Sequence, residues 1–347
     1  MASPPRIIVL GSVNTDLVIR GKRLPRPGET VLGGTFFQAA GGKGANQAVA
    51  AARLARQPVV LLAAVGDDSF GQSALTALNR ENLSIQYVRI VAGTASGVAL
   101  IVVDELGENA ISVASGANAS LLPSDVDALP DELLSFAGVF MTCLESPLET
   151  VEHGLQRAKA AGMLTILNPA PADNRICRPG LLRLVDVLTP NENEAAALAE
   201  VSVSDDASAV AAAQRLQSLG CRAVIITRGA QGCLVVKNDE ITRIPAPVVQ
   251  AIDTTAAGDA FNGALAVALS EGQPLAIAAH FASTAAAISV TRQGAQPSLP
   301  TRREVEDCHV ERRVRNAARI LHGRCECTFL KDEGTQACRP RNFLCRR

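Results

Sequence analysis

The stretch Asp253-Thr-Thr-Ala-Ala-Gly-Asp259-Ala-Phe-Asn-Gly-Ala-Leu265 begins as a polar turn, narrows to small residues and runs straight into an apolar helix. Small residues ahead of a helix let the backbone curl close to a ligand. The unpaired N–H groups of the first helical turn then point at that ligand, and the helix dipole favours an anion there. Asp259 sets a carboxylate beside this anion-seeking end. An anion hole next to a base is what phosphoryl transfer to a hydroxyl requires. Taken alone, Asp259 reads more simply as a helix cap, so the rest of the chain has to decide between the two.

Upstream of this stretch, strands and helices alternate. From residue 123 the pattern is a helix at 123–135, a strand Val139 to Cys143, a helix at 147–161 and a strand Met163 to Leu167. A strand Leu184 to Leu188, a helix at 205–219 and a strand Ala223 to Thr227 continue it, before a short hairpin over 233–245. Helices follow at about 258–271 and 274–288. Repeated strand–helix units imply a parallel sheet with helices on both faces. Polar residues just past the ends of such strands are where α/β proteins bind ligands. Asn14 and Asp16 follow Arg6-Ile-Ile-Val-Leu10 in this way, Glu145 follows Cys143, and Asn191 and Glu194 follow Leu188. Residues 17–38 form an excursion from the core. Ile85 to Val91, Gly97 to Asp104 and Ala110 to Ala114 have no helix between them and read as an antiparallel flap. Excursion and flap together suggest a lid.

The glycine-rich run Ala39-Ala-Gly41-Gly42-Lys43-Gly44-Ala-Asn46-Gln-Ala48 is not a Walker loop. Phe37 stands where the first glycine belongs, and Gly44 where a magnesium-binding Ser or Thr belongs. A turn that brings Lys43 and Asn46 to a polar small molecule remains open, as does a plain helix start.

Composition narrows the class. With 347 residues, 48% hydrophobic and 19% charged, the chain reads as soluble and globular, with an aliphatic core because aromatics are scarce. A net charge of −1 gives no global pull toward nucleic acid or a membrane surface. Neither a signal peptide nor a run of about 20 apolar residues is visible. Nine irregularly spaced cysteines fit reduced thiols in a cytoplasmic protein better than a disulfide framework. From Thr301 the character changes. Residues 301–347 hold five of the cysteines, with twelve basic against seven acidic residues, a net charge of about +5. His322, Cys325, Cys327, Cys338 and Cys345 match no common zinc spacing. The arginines around Arg312, Arg313 and Arg315 read as a solvated appendage before they read as an RNA contact.

Seven stretches together resemble the ribokinase-like (PfkB) carbohydrate kinase family. They are Gly11-Ser-Val-Asn-Thr-Asp16, Gly41 to Ala48, Gly66-Asp-Asp68, Asn168-Pro-Ala-Pro-Ala172, Thr189-Pro-Asn-Glu-Asn-Glu194, Asp253 to Leu265, and Thr291-Arg-Gln-Gly-Ala-Gln-Pro-Ser298. They run nearly colinearly over residues 5–303, leaving 304–347 as a divergent basic, cysteine-rich tail. The resemblance implies a three-layer α/β/α sandwich with a mainly parallel sheet and a small β-sheet lid from about 14–38 and 95–115. It implies ATP-dependent phosphorylation of a sugar; Asn-Pro-Ala-Pro-Ala and Gly-Ala-Gln-Pro-Ser are most similar to the branch that acts on D-ribose at the 5-hydroxyl. Another sugar or nucleoside kinase of the family, or a catalytically weak sugar-binding regulator, are the alternatives.

By the same resemblance Asp259 is the general base, and the backbone of Ala256, Ala257 and Gly258 is the anion hole. Asn14, Asp16, Gly42, Lys43, Asn46 and Glu145 bind the sugar. Asn191, Thr227, Arg228, Gly229, Ala230, Gln231, Gly232, Gly258 and Ser283 line the ATP site. Asn191 and Glu194 organise Mg2+ and phosphate, partly through water. Asp253, Thr255, Ser289, Arg292, Gly294 and Ser298 surround an activating K+. A homodimer through the lid, no nucleic-acid or membrane partner, and a cytoplasmic location (or a nuclear one in a eukaryote) complete the expectation.

Overall fold

Ile7 and Val9 pack into one hydrophobic cluster, and Ile8 and Leu10 into another. The same period-two split runs through Val59 to Val65 and through Leu234 to Val236, so the central sheet is buried on both faces. The structure, a computed structural model, describes residues 6–308. Residues through Glu306 form one compact unit; the second unit is described only at Asp307 and Cys308.

The strands are β1 (Ile7–Leu10), β2 (Asn14–Arg20), β3 (Thr35–Gly41), β4 (Val59–Gly66), β5 (Leu83–Val91), β6 (Gly97–Val103) and β7 (Asn109–Ala114). After them come β8 (Val139–Cys143), β9 (Leu164–Asn168), β10 (Val187–Leu188), β11 (Ala223–Thr227), β12 (Cys233–Lys237) and β13 (Glu240–Ile244). The main helices are α1 (Lys43–Leu54), α2 (Ser69–Leu78), α3 (Pro123–Asp127), α4 (Asp131–Phe136) and α5 (Leu148–Ala160). They continue as α6 (Glu192–Ala199), α7 (Asp206–Ser218), α8 (Ala257–Ser270) and α9 (Leu275–Ser289).

Nine strands form the central sheet in the order β13-β12-β11-β10-β9-β8-β1-β4-β5. Pairings from β5 across to β11 are parallel, and β12 and β13 close the far edge antiparallel. The helices α1, α8 and α9 bury their apolar faces on one side, and α5, α6 and α7 on the other. The result is the expected three-layer sandwich. A second sheet of order β3-β2-β6-β7 forms the lid. No helix among the described residues is long and apolar enough to cross a membrane.

Three expectations change in detail. The 85–91 strand does not join the flap. It is the edge strand β5, parallel to β4, because α2 supplies the crossover that a parallel pair needs. In the lid β6 instead pairs parallel with β2 and antiparallel with β7. The helix over 123–135 is two short helices, because Pro130 removes a helical N–H and stands as the N-cap of α4. The strand over 184–188 shrinks to Val187–Leu188, preceded by a 3-10 turn at Leu182–Leu184. Residues 302–308 are helical; the remainder of the helix expected to about Leu321, and the cysteine-rich tail, lie outside the described residues.

Candidate active site

The carboxyl ends of β1 and β8, the start of α1, the lid strand β2 and the start of α8 converge. Two close approaches make this geometry feasible. A Cβ at Gly263 of α8 would lie 2.6 Å from the Cβ of Ala50 and 2.7 Å from the backbone nitrogen of Ala51, so only small residues let α1 and α8 cross this closely. A Cβ at Gly41 would lie 2.2 Å from Oδ1 of Asp16, so the glycine leaves room for that carboxylate.

At the helix crossing, Asp259 is only 6% exposed. Asn46 Nδ2 donates to its Oδ2 at 3.0 Å, and Gln47 Nε2 donates to its Oδ1 at 3.1 Å. Burial pushes the Asp259 carboxyl up, against the Lys43 ammonium and these two donors, and the balance stays above the ordinary carboxylate value. Its helix starts without a side-chain cap: Ala256, the N-cap, is left-handed with φ 60°. The Ala257 N–H turns back to the Thr254 carbonyl at 3.2 Å, closing the turn on which Gly258 and Asp259 follow. Asn262 Nδ2 holds the Gly258 carbonyl at 2.8 Å and is itself held by the Thr189 hydroxyl at 2.6 Å.

On the side of Asn14 and Glu145, the Asp16 carboxylate has no protein hydrogen-bond partner among the described residues. Burial first, then Glu145 and Asp259, push it up to about 6 against Lys43. Glu145 Oε2 accepts from the Ser12 hydroxyl at 2.5 Å and from the Lys43 backbone N–H at 3.0 Å. Burial would lower the Lys43 ammonium, but the carboxylates of Asp259 and Glu145 outweigh it and hold it above its usual value. Asn14 is buried, and its Oδ1 accepts from Asn118 Nδ2 at 2.7 Å. Its own amide N–H groups are therefore what it presents to a ligand. Asn46 Oδ1 is buried with no protein hydrogen-bond partner. A cavity of about 310 Å³ is lined by Asn14, Asn118, Glu145, Ser146 and the lid residue Val113.

On the other side of α8 lies an apolar cleft of about 390 Å³, lined by Thr227, Gly229, Ala230, Gly232, Ala257, Gly258, Phe261 and Ser283 among others. Its largely apolar lining suits a heteroaromatic ring. Arg228 and Gln231 do not line it. The Arg228 guanidinium is buried, pairing with Glu192 at 3.0 Å and with Asp206, so the loop offers its backbone here. Asn191 and Glu194 form a reciprocal cap on α6. Asn191 Oδ1 accepts the Glu194 N–H at 2.8 Å, and Glu194 Oε2 accepts the Asn191 N–H at 2.9 Å. Burial raises Glu194 above its ordinary value, with Lys43 opposing it.

The residues assigned to K+ are brought together only in part. Asp253 Oδ1 accepts the Thr255 N–H at 2.9 Å, and Oδ2 accepts the Gly294 N–H at 3.0 Å. Ser289 and Ser298 are buried, but their hydroxyls donate to the Ala286 and Ala295 carbonyls, each at 2.8 Å. Arg292 pairs with Glu304.

Ser12, Gln47, Asn118, Asn168, Thr189 and Asn262 were not singled out as site residues from sequence. Five of them stand in or beside quoted motifs. Asn118 lies in Gly116-Ala-Asn118-Ala, more than 100 residues from the Asn14 it holds, so no local signal marks it.

A buried carboxylate at an open helix start whose first turn lines an apolar cleft, with Asp16, Lys43 and Glu145 near enough to act on its charge, defines the class: a phosphotransferase acting on a small hydroxyl compound. The chain belongs to the pfkB family of carbohydrate kinases, whose model matches residues 4–302. It is 44% identical over 298 residues to a ribokinase of Haemophilus influenzae, covering 86% of this chain and 96% of that protein. It is 42% identical over 311 residues to a ribokinase of Schizosaccharomyces pombe, covering 86% and 96%. Among solved structures it resembles the Arabidopsis thaliana ribokinase complexed with ribose and ATP, with a TM-score of 0.78, 31% identity, and coverage of 88% of this chain and 98% of that one.

Proposed function

We propose that the chain is an ATP-dependent ribokinase, moving the γ-phosphoryl group of ATP to the 5-hydroxyl of D-ribose. The observation that carries this is the Asp259 carboxylate, held by Asn46 and Gln47 at the uncapped start of α8. Asp16, Asn14, Lys43, Asn46 and Glu145 offer the sugar converging polar groups. Each group left unpaired would cost about 1–3 kcal/mol, which favours a ligand with hydroxyls at several carbons. The 5-hydroxyl oxygen forms a bond to the γ-phosphorus, its proton passes to Asp259, and the bond to the β-phosphate oxygen breaks to release ADP. In a loose transition state the proton leaves late, so an ionised carboxylate suffices as acceptor. Most of the acceleration then comes from positioning and from N–H groups at the α8 start facing the transferred charge.

Magnesium fits the donor set. Among the described residues no cluster of acidic, His or Cys side chains is able to hold a metal by itself. Mg2+ is commonly held by one or two carboxylates plus substrate phosphates. Glu194, with Asn191 beside it, is the residue that would contribute, and the ion would neutralise phosphate charge. For K+, Asp253 and carbonyl oxygens near it would be the ligands, and the ion would hold the 253–258 loop. The same reading makes the protein a cytoplasmic homodimer joined through its lid.

Asp259→Asn keeps the shape and removes the base. It should lower kcat ~10²–10⁴-fold while ribose binding, followed by calorimetry, changes little. Near-normal turnover in that variant would overturn the assignment.

A further inference from the structure

We propose that Gln47 is a positioning residue for this transfer, gripping the Asp259 carboxylate with one amide N–H while the other anchors it to Asn168. The proposal rests on the reading of Asp259 as the base.

Gln47 is fully buried on α1. Its Nε2 donates to Asp259 Oδ1 at 3.1 Å and to Asn168 Oδ1 at 3.0 Å. Asn168 is in turn oriented by its own Nδ2, which donates to the Thr189 carbonyl at 3.1 Å. The orientation of Gln47 is thereby determined. A flipped amide would set its carbonyl against a carboxylate and against the Asn168 carbonyl oxygen, three acceptors with no proton between them. Asn46 also donates to Asp259, but its own Oδ1 has no protein partner to fix the amide. The Gln47 grip is tied to the sheet through β9, so it does not follow the substrate.

The arrangement is costly for the fold. Gln47 Oε1 is buried with no protein partner, an unpaired acceptor that a Leu or Met would not carry. A side chain chosen for packing alone would be apolar. A donor aimed at Asp259 makes sense if the carboxylate must stay ionised and aimed in a site crowded with like charge. Among the described residues Lys43 on α1 is the cation that acts on Asp259, against Glu145 after β8, Asp16 on β2 and Glu194 on α6. A lost donor shifts the balance toward the protonated acid, which is unable to take the sugar proton.

The test uses the full-length chain. The single-turnover rate of phosphoryl transfer is measured against pH at saturating ribose and MgATP, for wild type, Gln47→Met, Asn168→Ala and Asp259→Asn. Gln47→Met should lower the rate about 10–100-fold and move the acid limb upward by about one pH unit. Asn168→Ala should move the limb the same way by less, and it carries the test if Gln47→Met does not fold. Leu155→Ala, in the opposite helical layer, serves as a variant that loses stability without moving the limb. A slowed variant whose acid limb stays at the wild-type pH, with Asp259→Asn inactive, overturns the positioning role. An active Asp259→Asn overturns instead the base assignment beneath it.

Discussion

At the scale of single residues, Asp16 makes the sharpest claim. Its carboxyl lies at about 6 rather than 3.8, chiefly because it is buried and secondarily because Glu145 and Asp259 share its pocket. A carboxyl raised on folding costs stability above its folded value, and that cost fades as pH falls through about 6 toward 3.8. Sugar binding has the opposite interest, since an ionised Asp16 accepts two hydroxyls where the acid accepts less. The KM for ribose should therefore be flat above pH 7 and rise about tenfold by pH 5, while Asp16→Asn binds weakly with no such dependence. Steady-state kinetics with ribose varied at each pH measures it, and a wild-type KM that stays flat would contradict the role. Asp16 was readable from its place after the first strand. Its shifted acidity was not, because its burial, and the approach of Glu145 from more than 120 positions away, arise only in the fold.

At the scale of elements, the start of α2 ties the core to the lid. Asp68 caps the helix through Gly71 N–H at 2.8 Å. The same carboxylate accepts the Ser96 hydroxyl at 2.7 Å and the Ser96 N–H at 2.9 Å, one residue before the lid strand β6 begins. Burial works against this carboxylate, but the Ser96 and Gly71 donors hold it below the ordinary range. Asp68→Ala should cost ~1–2 kcal/mol in urea unfolding, as for other lost caps. It should also raise the KM for ribose more than the KM for ATP, because the lid root loosens. Equal effects on both substrates would separate the cap from the lid. The Gly66-Asp-Asp68 motif was visible in the chain, but its partner at Ser96 depends on how β4, α2 and β6 come together.

At the scale of the whole molecule, the lid presents an outer face that the other described residues leave exposed. Ile19 pairs with Phe36, and Leu17 with Leu100, on one side of the small sheet. Ile19, Phe36 and Leu100 are 45%, 62% and 56% exposed, where most apolar residues of this unit are buried. Exposed apolar surface of this kind favours association. Phe36→Glu should convert a dimer to a monomer in sedimentation velocity at micromolar protein. A wild type that sediments as a monomer under the same conditions would remove the lid from the account of assembly.

The layered architecture is legible along the chain. Period-two and helical patterning name the layers, and the glycine-rich runs and polar strand ends name Asn14, Asp16, Lys43, Asn46, Glu145 and Asp259. These signals are local, carried by neighbours along the chain. Folding in three dimensions is what brings β5 into the main sheet, turns Arg228 toward Glu192 and Asp206, sets Asn118 on Asn14, and joins Asn168 to Asp259 through Gln47. Each of these depends on which distant groups burial brings within hydrogen-bond or ion-pair reach. Gln47 is 212 residues from Asp259 in the chain and 3.1 Å from it in the fold.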